Sequence, residues 1–455
     1  MFLVIVNKAL KSRGRRFPAK KPGLGIRTSL VAYLAMPISA FAICPDLKPY
    51  YQTPDQIQWP GDAVLNQLTL MMPECLESAE YFALLGAAQL NSGLTPEALE
   101  SLERALLLDP DNGAARIDYA QALYIAGQLF PALEINQSLL DRPDLPSNLQ
   151  GILQARGKEW KRQTRSKGLF AELAAGYDNN LNGAPSKSDF TLTLSGEPIS
   201  FELSPDFQPL SGPYVNLQLA GYYRKLDSQH SQNVQFGLRS RQSEESSNEL
   251  LQFDWRYTFL LPVRKQQWEL SAGTSHLLFG GNPLYSVTEG RIRYRFRDLG
   301  CNPHYELAAQ HQLYHGQSSM TGIESSVIGG VDCARGNQRF GIQAGPLNNS
   351  ALKTRLGGDR QGWKVRMNWQ LQVGADLVTA QLGYASLYDK SGYSSLLENN
   401  ARRDVHTTSA QIQYSHQLQS DLSLIINLNH QGQDSNIGPF ESDSTAFEVG
   451  IRLNL

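Results

Sequence analysis

The chain has 455 residues, with 41 Lys and Arg against 43 Asp and Glu, so its formal net charge at pH 7 is −2. This length is too great for one ordinary domain and short for three. The charges are unevenly placed: residues 1–42 carry eight basic residues and no acidic one, which leaves 33 basic against 43 acidic residues, or −10, in the remainder. This acidic surplus excludes nucleic acid as a partner attracted by net basic charge.

Residues 1–42 have the organisation of a secretory signal peptide. The basic residues come first, an apolar stretch follows at 30–42, and an A-x-A cleavage site lies at 40–42. The apolar stretch is too short to span a bilayer. Lipidation of Cys44 is a weaker alternative, because Ile43 stands where a small residue is expected. We therefore expect the mature chain in the periplasm, in the outer membrane or outside the cell.

The mature chain would contain four cysteines, Cys44, Cys75, Cys301 and Cys333. An oxidising compartment favours disulfides. Proximity in sequence favours Cys44 with Cys75 and Cys301 with Cys333, although four cysteines permit three pairings. A metal site is disfavoured because no two of them have close ligand spacing.

A helical period with an internal repeat follows. The positions that a tetratricopeptide unit fills with large, small and helix-ending residues are occupied in one unit by Phe82, Leu85, Gly86, Ala98, Leu102, Ala105 and Pro110, and in the next by Tyr119, Ala120, Leu123, Ala132 and Leu139. A stack needs about three units, so helices near 61–72 and 148–165 are expected to act as caps. This predicts a tetratricopeptide-like helical domain over residues 43–167, placed in the periplasm.

Tetratricopeptide units bind other proteins in a concave groove and supply no catalytic group. Arg116 and Tyr119 lie on the first helix of the second unit and are candidates for lining such a groove, although ordinary packing explains Tyr119 equally well. The last helix is basic. Its basic face either is simply solvated, at the rim of the β-barrel that the following residues predict, or touches anionic lipid head groups or a bound polypeptide client.

From about residue 168 the apolar period changes to two. Apolar and polar residues alternate in segments such as 215–224, 291–297, 364–373 and 422–428. Roughly fourteen or fifteen segments of this kind fit before the end of the chain, which is typical of a transmembrane antiparallel β-barrel. Fourteen strands are preferred because such barrels favour even numbers. The predicted fold class is therefore α plus membrane all-β, with the barrel over residues 168–455; a soluble all-β domain is the alternative.

The final segment of the chain resembles the signal by which outer-membrane barrels are recognised for insertion. Gly450, Leu453 and Leu455 occupy its Gly and its last two apolar positions. Aromatic residues would be usual at those last two positions, and here both are Leu. The pattern predicts the barrel-assembly machinery and outer-membrane lipid as partners.

A basic stripe of Arg291, Arg293, Arg295 and Arg297 alternates with apolar residues. A charged face toward lipid would cost several kcal/mol, so we expect the stripe to face the lumen. There it either pairs with acids such as Glu269 and Glu306 or gives the pore a field that favours acidic or extended polypeptides.

No compelling set of catalytic residues is found, so we expect neither an enzyme nor a cofactor or metal. In a strand, His304 would point away from His311 and His315, which disfavours a three-histidine site. Residues 178–189 have the oxygen-ligand spacing of a calcium loop. Their flanks read as strands, however, so we prefer a polar turn that helps place the helical domain at the barrel mouth.

The order of these parts resembles the surface lipoprotein assembly modifier family. The resemblance covers essentially the whole mature chain, and its phrases are Ala115-Arg-Ile-Asp-Tyr-Ala-Gln-Ala-Leu123, Leu145-Pro146 and Gly176-Tyr-Asp-Asn-Asn-Leu-Asn182. It implies a fourteen-strand outer-membrane barrel with periplasmic helical repeats. The implied function is to help client surface lipoproteins, or related secreted proteins, reach the cell exterior, with the helical domain holding the client or its periplasmic chaperone.

Two other classes stay open. An outer-membrane polysaccharide exporter also joins helical repeats to a barrel, usually with many more repeats than two. A porin whose helical domain only anchors or gates it is the other, and an outer-membrane hydrolase is more distant.

Overall fold

The computed structural model describes residues 44–50, 61–297 and 300–455. The segment interpreted as a signal peptide, 1–42, lies outside the described residues. Within them, no helix combines the length and apolarity that a membrane crossing requires.

The described part of the N-terminal region contains six α-helices: α1 (Gly61–Met71), α2 (Ala79–Asn91), α3 (Thr95–Leu108), α4 (Gly113–Ile125), α5 (Leu129–Leu140) and α6 (Ser147–Gln163). Side chains cap two of them, since Ser78 accepts from the amide of Tyr81 and Asn112 accepts from the amide of Ala115. The pairs α2–α3 and α4–α5 are the two predicted repeats, and α1 and α6 flank them as predicted.

The core of the helical region lies between these helices. Tyr81, Leu85 and Leu102 are fully buried, and the Tyr81 hydroxyl donates to the carbonyl of Leu68 on α1. A disulfide between Cys44 and Cys75 ties the residues before α1 to the turn that precedes α2. This bond and the Cys301–Cys333 disulfide confirm the predicted pairing.

Fourteen antiparallel strands close into a barrel, in which β1 pairs with β4 on one side and β16 on the other. They are β1 (Arg165–Asp178), β4 (Gly212–Leu226), β5 (Ser231–Ser243), β6 (Leu250–Val263), β7 (Gln266–Phe279), β8 (Asn282–Phe296), β9 (Cys301–Tyr314), β10 (Gly322–Arg335), β11 (Gln338–Ala351), β12 (Arg360–Val373), β13 (Asp376–Gly392), β14 (Arg402–Gln417), β15 (Leu422–Ser435) and β16 (Ser442–Asn454). The predicted count is confirmed. The first strand begins three residues before position 168, directly after α6.

Each barrel strand has an apolar outer face and a polar inner face. On β16, Phe447, Val449 and Ile451 are 40–50% exposed, whereas Glu448 between them is 2% exposed. A protein surface this rich in exposed apolar side chains is stable only where acyl chains cover it. Aromatic rings lie on the outer face toward both ends of the strands, as with Trp268, which is 4.7 Å from Tyr294, and Tyr177, which is 53% exposed.

The two ends of the barrel differ. At the short-turn end, the connections span at most four residues, as at 227–230 and 264–265, and this end also receives α6. The amide of Leu455 donates to the carbonyl of Leu169 there, so the two ends of the barrel sequence meet. At the long-loop end, the connections include 352–359, 393–401 and the long segment 179–211.

The segment 179–211 contains a hairpin that the sequence did not lead us to expect. Its strands are β2 (Asp189–Leu194) and β3 (Glu197–Glu202), which pair with each other outside the barrel. The hairpin reaches the β13–β14 loop through a bridge between Leu192 and Leu397. Loops at this end are therefore tied to one another.

The outer face gives a first prediction. Leu307, 56% exposed, lies midway along β9 with Ile292 and Val327 beside it in register, whereas Gln310 on the same strand lines the lumen. Replacing Leu307 with Arg should lower the free energy of unfolding in lipid vesicles by about 2–4 kcal/mol, because a cation would face the bilayer centre. Gln310→Arg, the matched change on the inner face, should cost about 1 kcal/mol or less. Equal costs would contradict the assignment of faces.

Candidate functional site in the barrel lumen

The lumen contains several cavities, two of which reach β12. The larger, of about 440 Å³, is lined by β6 and by strands from β8 round to β14, and its charged residues include Arg256, Glu289, Glu324 and Lys364. The smaller, of about 320 Å³, lies against β1, β4, β5, β12 and the last strands of the barrel. The interior is thus lined largely by polar residues, and side chains divide it.

The basic stripe faces the lumen and is held by carboxylates. Arg291 lies 3.2 Å from Glu289 and 3.4 Å from Glu306, Arg293 contacts both Glu306 and Glu269, and Arg295 lies 3.3 Å from Asp332. Arg297 follows the end of β8 and is exposed. The first three arginines are therefore largely neutralised, which favours the pairing interpretation over a strong basic field.

A buried carboxylate, Glu448, fastens the seam between the first and last strands. Its Oε1 accepts from the Tyr214 hydroxyl at 2.9 Å and the Asn216 amide at 3.2 Å, and its Oε2 accepts from Asn427 at 3.1 Å. Arg239 supplies a further contact at 3.5 Å. One residue of β16 thereby holds β4, β5 and β15 together.

Two glycines permit this arrangement. A Cβ on Gly176 would lie 2.9 Å from Glu448 Cγ and 2.8 Å from the Tyr214 ring, so the absence of a side chain lets Glu448 reach across β1. A Cβ on Gly450 would lie 2.4 Å from the carbonyl oxygen of Leu173, so the strands could not approach as closely. Gly450 therefore has a packing role at the seam, while Leu453 and Leu455 of the predicted insertion signal are exposed.

The residues that follow Gly176 make contacts at the seam between β1 and β16. Asp178 accepts from the Ser444 hydroxyl and pairs with Arg241 at 3.2 Å, while the side-chain amide of Asn180 donates to the backbone carbonyl of Asp443. The side-chain oxygens of these residues already take part in hydrogen bonds and an ion pair. Those contacts explain the calcium-loop-like spacing of polar residues in 178–189 without a bound calcium ion. The expectation that this turn helps place the helical domain is wrong, because the turn lies at the long-loop end and α6 joins the opposite end of β1.

The seam network gives a second prediction. Glu448→Ala would leave four buried or half-buried donors without their acceptor, and hydrogen bonds to a charged group contribute about 1.5–3 kcal/mol each. We expect the free energy of unfolding, followed by tryptophan fluorescence in lipid vesicles, to fall by about 3 kcal/mol or more. The control is Glu244→Ala, which removes an exposed carboxylate from the β5–β6 loop. A Glu448→Ala barrel as stable as this control would contradict the role of Glu448 in holding the seam together.

Arginines also order the long-loop end. Asp389, 1% exposed, lies 3.2 Å from Arg403 and 3.3 Å from Arg360. The Arg403 guanidinium packs against the rings of Tyr393 and Phe440, at 4.6 and 4.4 Å from their centroids, and the two rings are 4.9 Å apart. These contacts join the β13–β14 and β15–β16 loops.

The histidines do not converge. His304 is buried on the lumen side, 3.4 Å from Asp332, while His311 on the same strand is exposed. His315 follows β9 and contacts the Ser286 hydroxyl at 2.8 Å. Among the described residues, no group of three His, Cys, Asp or Glu side chains could hold a metal ion.

In the helical region, the two groove candidates have different surroundings. Tyr119 is partly buried against both apolar clusters of the helical core, so packing accounts for it. Arg116 is 28% exposed, and its guanidinium lies 3.9 Å from Asp111. The more deeply set cation is Arg156 on α6, which donates to Asn136 and to the carbonyl of Ile117 and lies over the Trp160 ring at 4.7 Å.

Asp118 is a half-buried carboxylate near Arg156. Burial raises the pKa of the Asp118 carboxyl from its ordinary value of 3.8 to about 6, and the Arg156 charge offsets part of that effect. The folded chain therefore binds this proton more tightly than the unfolded chain. The contribution of Asp118 to the free energy of unfolding falls as the pH rises through this interval and stays low above about pH 6.

This shift gives a third prediction. Asp118→Asn removes the penalty of burying a charge, so at pH 8 it should raise the free energy of unfolding of the helical region by about 1–2 kcal/mol after allowance for partial exposure. At pH 4 the gain should be small. The measurement is circular dichroism at 222 nm on the full chain in detergent, with the exposed Glu100→Gln as control. A gain of the same size at both pH values would contradict the assignment.

Glu448 at the seam and the arginines that bind Asp389 at the long-loop end were not identified from the sequence. Glu448 is one of several polar residues alternating along β16, and its partner Tyr214 is 234 residues away. A signal was available in Gly176 and Gly450, because glycine inside a strand marks a close approach.

Comparison with known proteins supports the helical repeats. A tetratricopeptide repeat family model matches residues 90–155. No match to a curated protein is found.

Solved structures similar to this chain are barrels. Salmonella typhi OmpF in complex with daunomycin is 8% identical, covers 64% of this chain and 98% of its own, and has a TM-score of 0.33. The translocator domain of the autotransporter NalP from Neisseria meningitidis is 9% identical, with coverages of 68% and 95% and a TM-score of 0.25. A bacterial polysaccharide outer membrane secretin is 7% identical, with coverages of 63% and 98% and a TM-score of 0.31. Likeness at this level carries no argument about function.

The fold defines the class of protein. It is a tetratricopeptide-like helical region followed by a closed fourteen-strand antiparallel barrel of the outer-membrane type.

Proposed function

We propose that this protein is an outer-membrane translocation factor that assists surface display or secretion of client lipoproteins or related soluble proteins. In this proposal the chain belongs with the surface lipoprotein assembly modifiers, the helical region engages the client or its chaperone in the periplasm, and the barrel provides the path. The role requires no catalytic group and no cofactor.

The observation that carries the proposal is the direct junction of a binding scaffold to the barrel. Only Thr164 separates α6 from β1, and its carbonyl accepts from the amide of Leu226 at the end of β4. Barrels of this class have short turns on the periplasmic side. A client held by the repeats would therefore be presented at the short-turn mouth of the lumen.

A cleft on the helical region offers a contact surface for such a client. It measures about 340 Å³, lies between α5 and α6, and has Leu133 and Leu140 among its apolar residues and Lys158 and Lys161 on its α6 side. An apolar cleft with adjacent ammonium groups suits a segment with alternating apolar and acidic residues. Polypeptide is favoured over polysaccharide by this combination.

The test is deletion of the gene followed by labelling of surface-exposed proteins. We expect one or a few surface lipoproteins or secreted proteins to be lost from the exterior and retained in the periplasm. Loss of exopolysaccharide with an unchanged surface proteome would support a polysaccharide exporter instead, and altered uptake of small solutes alone would support a porin.

Complementation then separates the cleft from the barrel. Lys158→Glu should leave the amount of folded barrel in the outer membrane unchanged and reduce client display severalfold, because it puts a like charge beside an acidic client. Lys48→Glu, the same charge change at an exposed position away from the cleft, should restore display fully. Full display by the Lys158→Glu protein would exclude the cleft as the client site.

A further inference from the structure

Arg366 is a cation of the lumen whose surroundings differ from those of the basic stripe. Arg366 lies midway along β12 on the inner face, between Lys364 and Asn368, and its guanidinium has no hydrogen bond or ion pair within the described residues. The side chain is exposed to the lumen. Its register neighbour on β13 is Gly383, which offers no side chain to shield it.

Arg366 is also the charged residue common to the linings of the cavities of about 440 and 320 Å³. The wall that faces it carries two more guanidinium groups, those of Arg239 and Arg241 on β5, which line the smaller cavity with it. In the order of fourteen strands, β5 and β12 are seven places apart and so lie diametrically opposite. Side chains from opposite walls therefore line one cavity of about 320 Å³ at this level.

The charges at this level do not cancel. Arg239 is paired with Glu448 and Arg241 with Asp178, whereas Arg366 adds a positive charge without a carboxylate partner. In the larger cavity, Arg256 pairs with Glu289 and Lys364 with Glu324. Among the residues that line these two cavities, the charge without an opposite partner is thus that of Arg366, and low-dielectric walls focus the field of such a charge.

We propose that Arg366, facing Arg239 and Arg241, forms an anion-selective site that binds carboxylates or other oxyanions entering the lumen. A guanidinium with free donors is suited to bidentate contact with a carboxylate or a phosphate. The paired arginines opposite keep the cavity from becoming acidic. The anion selectivity is a property of the barrel and goes beyond the proposed function. It does not depend on whether a client crosses the membrane.

The test is single-channel recording of the full-length protein in planar bilayers under a gradient of potassium chloride. The wild-type reversal potential should give a chloride permeability above that of potassium. Arg366→Gln should lower the permeability ratio by about threefold or more, because the unpaired charge is removed. Arg366→Lys, which keeps the charge, should retain the anion preference, and this variant guards against an effect of misfolding.

The matched control is Arg339→Gln. Arg339 lies on the inner face of the neighbouring strand β11, four residues from Gln343, the register partner of Arg366, and so about 13 Å nearer the short-turn end. This change should leave the ratio nearly unchanged. A wild-type channel that prefers potassium, a sealed channel, or an equal effect of the two glutamine variants would each overturn the proposal.

A second arm identifies the ligand. Block of the current by a short oligoglutamate peptide but not by oligolysine, abolished in Arg366→Gln, would support acidic peptide as the occupant. Anion selectivity without block would support small inorganic anions. Block by oligolysine alone would contradict an anion site.

Discussion

The closure of β1 on β16 is the constraint on which the rest of the structure depends. In hydrocarbon no water satisfies the amide and carbonyl groups of an open sheet edge, so a barrel that does not close cannot remain in a bilayer. Residues 170–178 of β1 pair with 446–454 of β16, and the buried carboxylate of Glu448 ties this seam to β4, β5 and β15. Gly176 and Gly450 are the positions where this closure requires the absence of a side chain.

The predictable parts of the fold were those that a local period determines. Lipid on one side and water on the other impose alternation on every strand, so β8, β12 and β16 could be recognised one at a time from residues such as Ile292 and Phe447. The Glu448 contacts at the seam, the hairpin in 179–211 and the turn after Asp178 depend on contacts between segments that the chain separates by tens to hundreds of residues. Such contacts leave no period in the sequence.

The ion pairing of the lumen arginines likewise could not be predicted from local sequence. A stripe of alternating arginines on β8 drew attention, yet its members within the strand are balanced by Glu289, Glu306 and Asp332. Arg366 looked like one polar residue among several on β12. Its distinct surroundings arise from barrel closure, which places β12 opposite β5 and leaves the guanidinium without a carboxylate among the described residues. Charge excess in a lumen is therefore a property of the three-dimensional pairing and not of the residue count.

The proposed translocation role constrains the path that a client would follow. Cavities of about 440 and 320 Å³ are of a size for side chains or small ligands, not for a folded domain. Separation of β1 from β16 would break their backbone pairing and the Glu448 network together, which makes the seam costly to open. Reorientation of exposed lumen side chains such as Arg366 breaks no ion pair within the described residues. A client that passes through this barrel would therefore move as an extended segment along the lumen, with its acidic residues meeting Arg366 at the level where this residue lines both cavities.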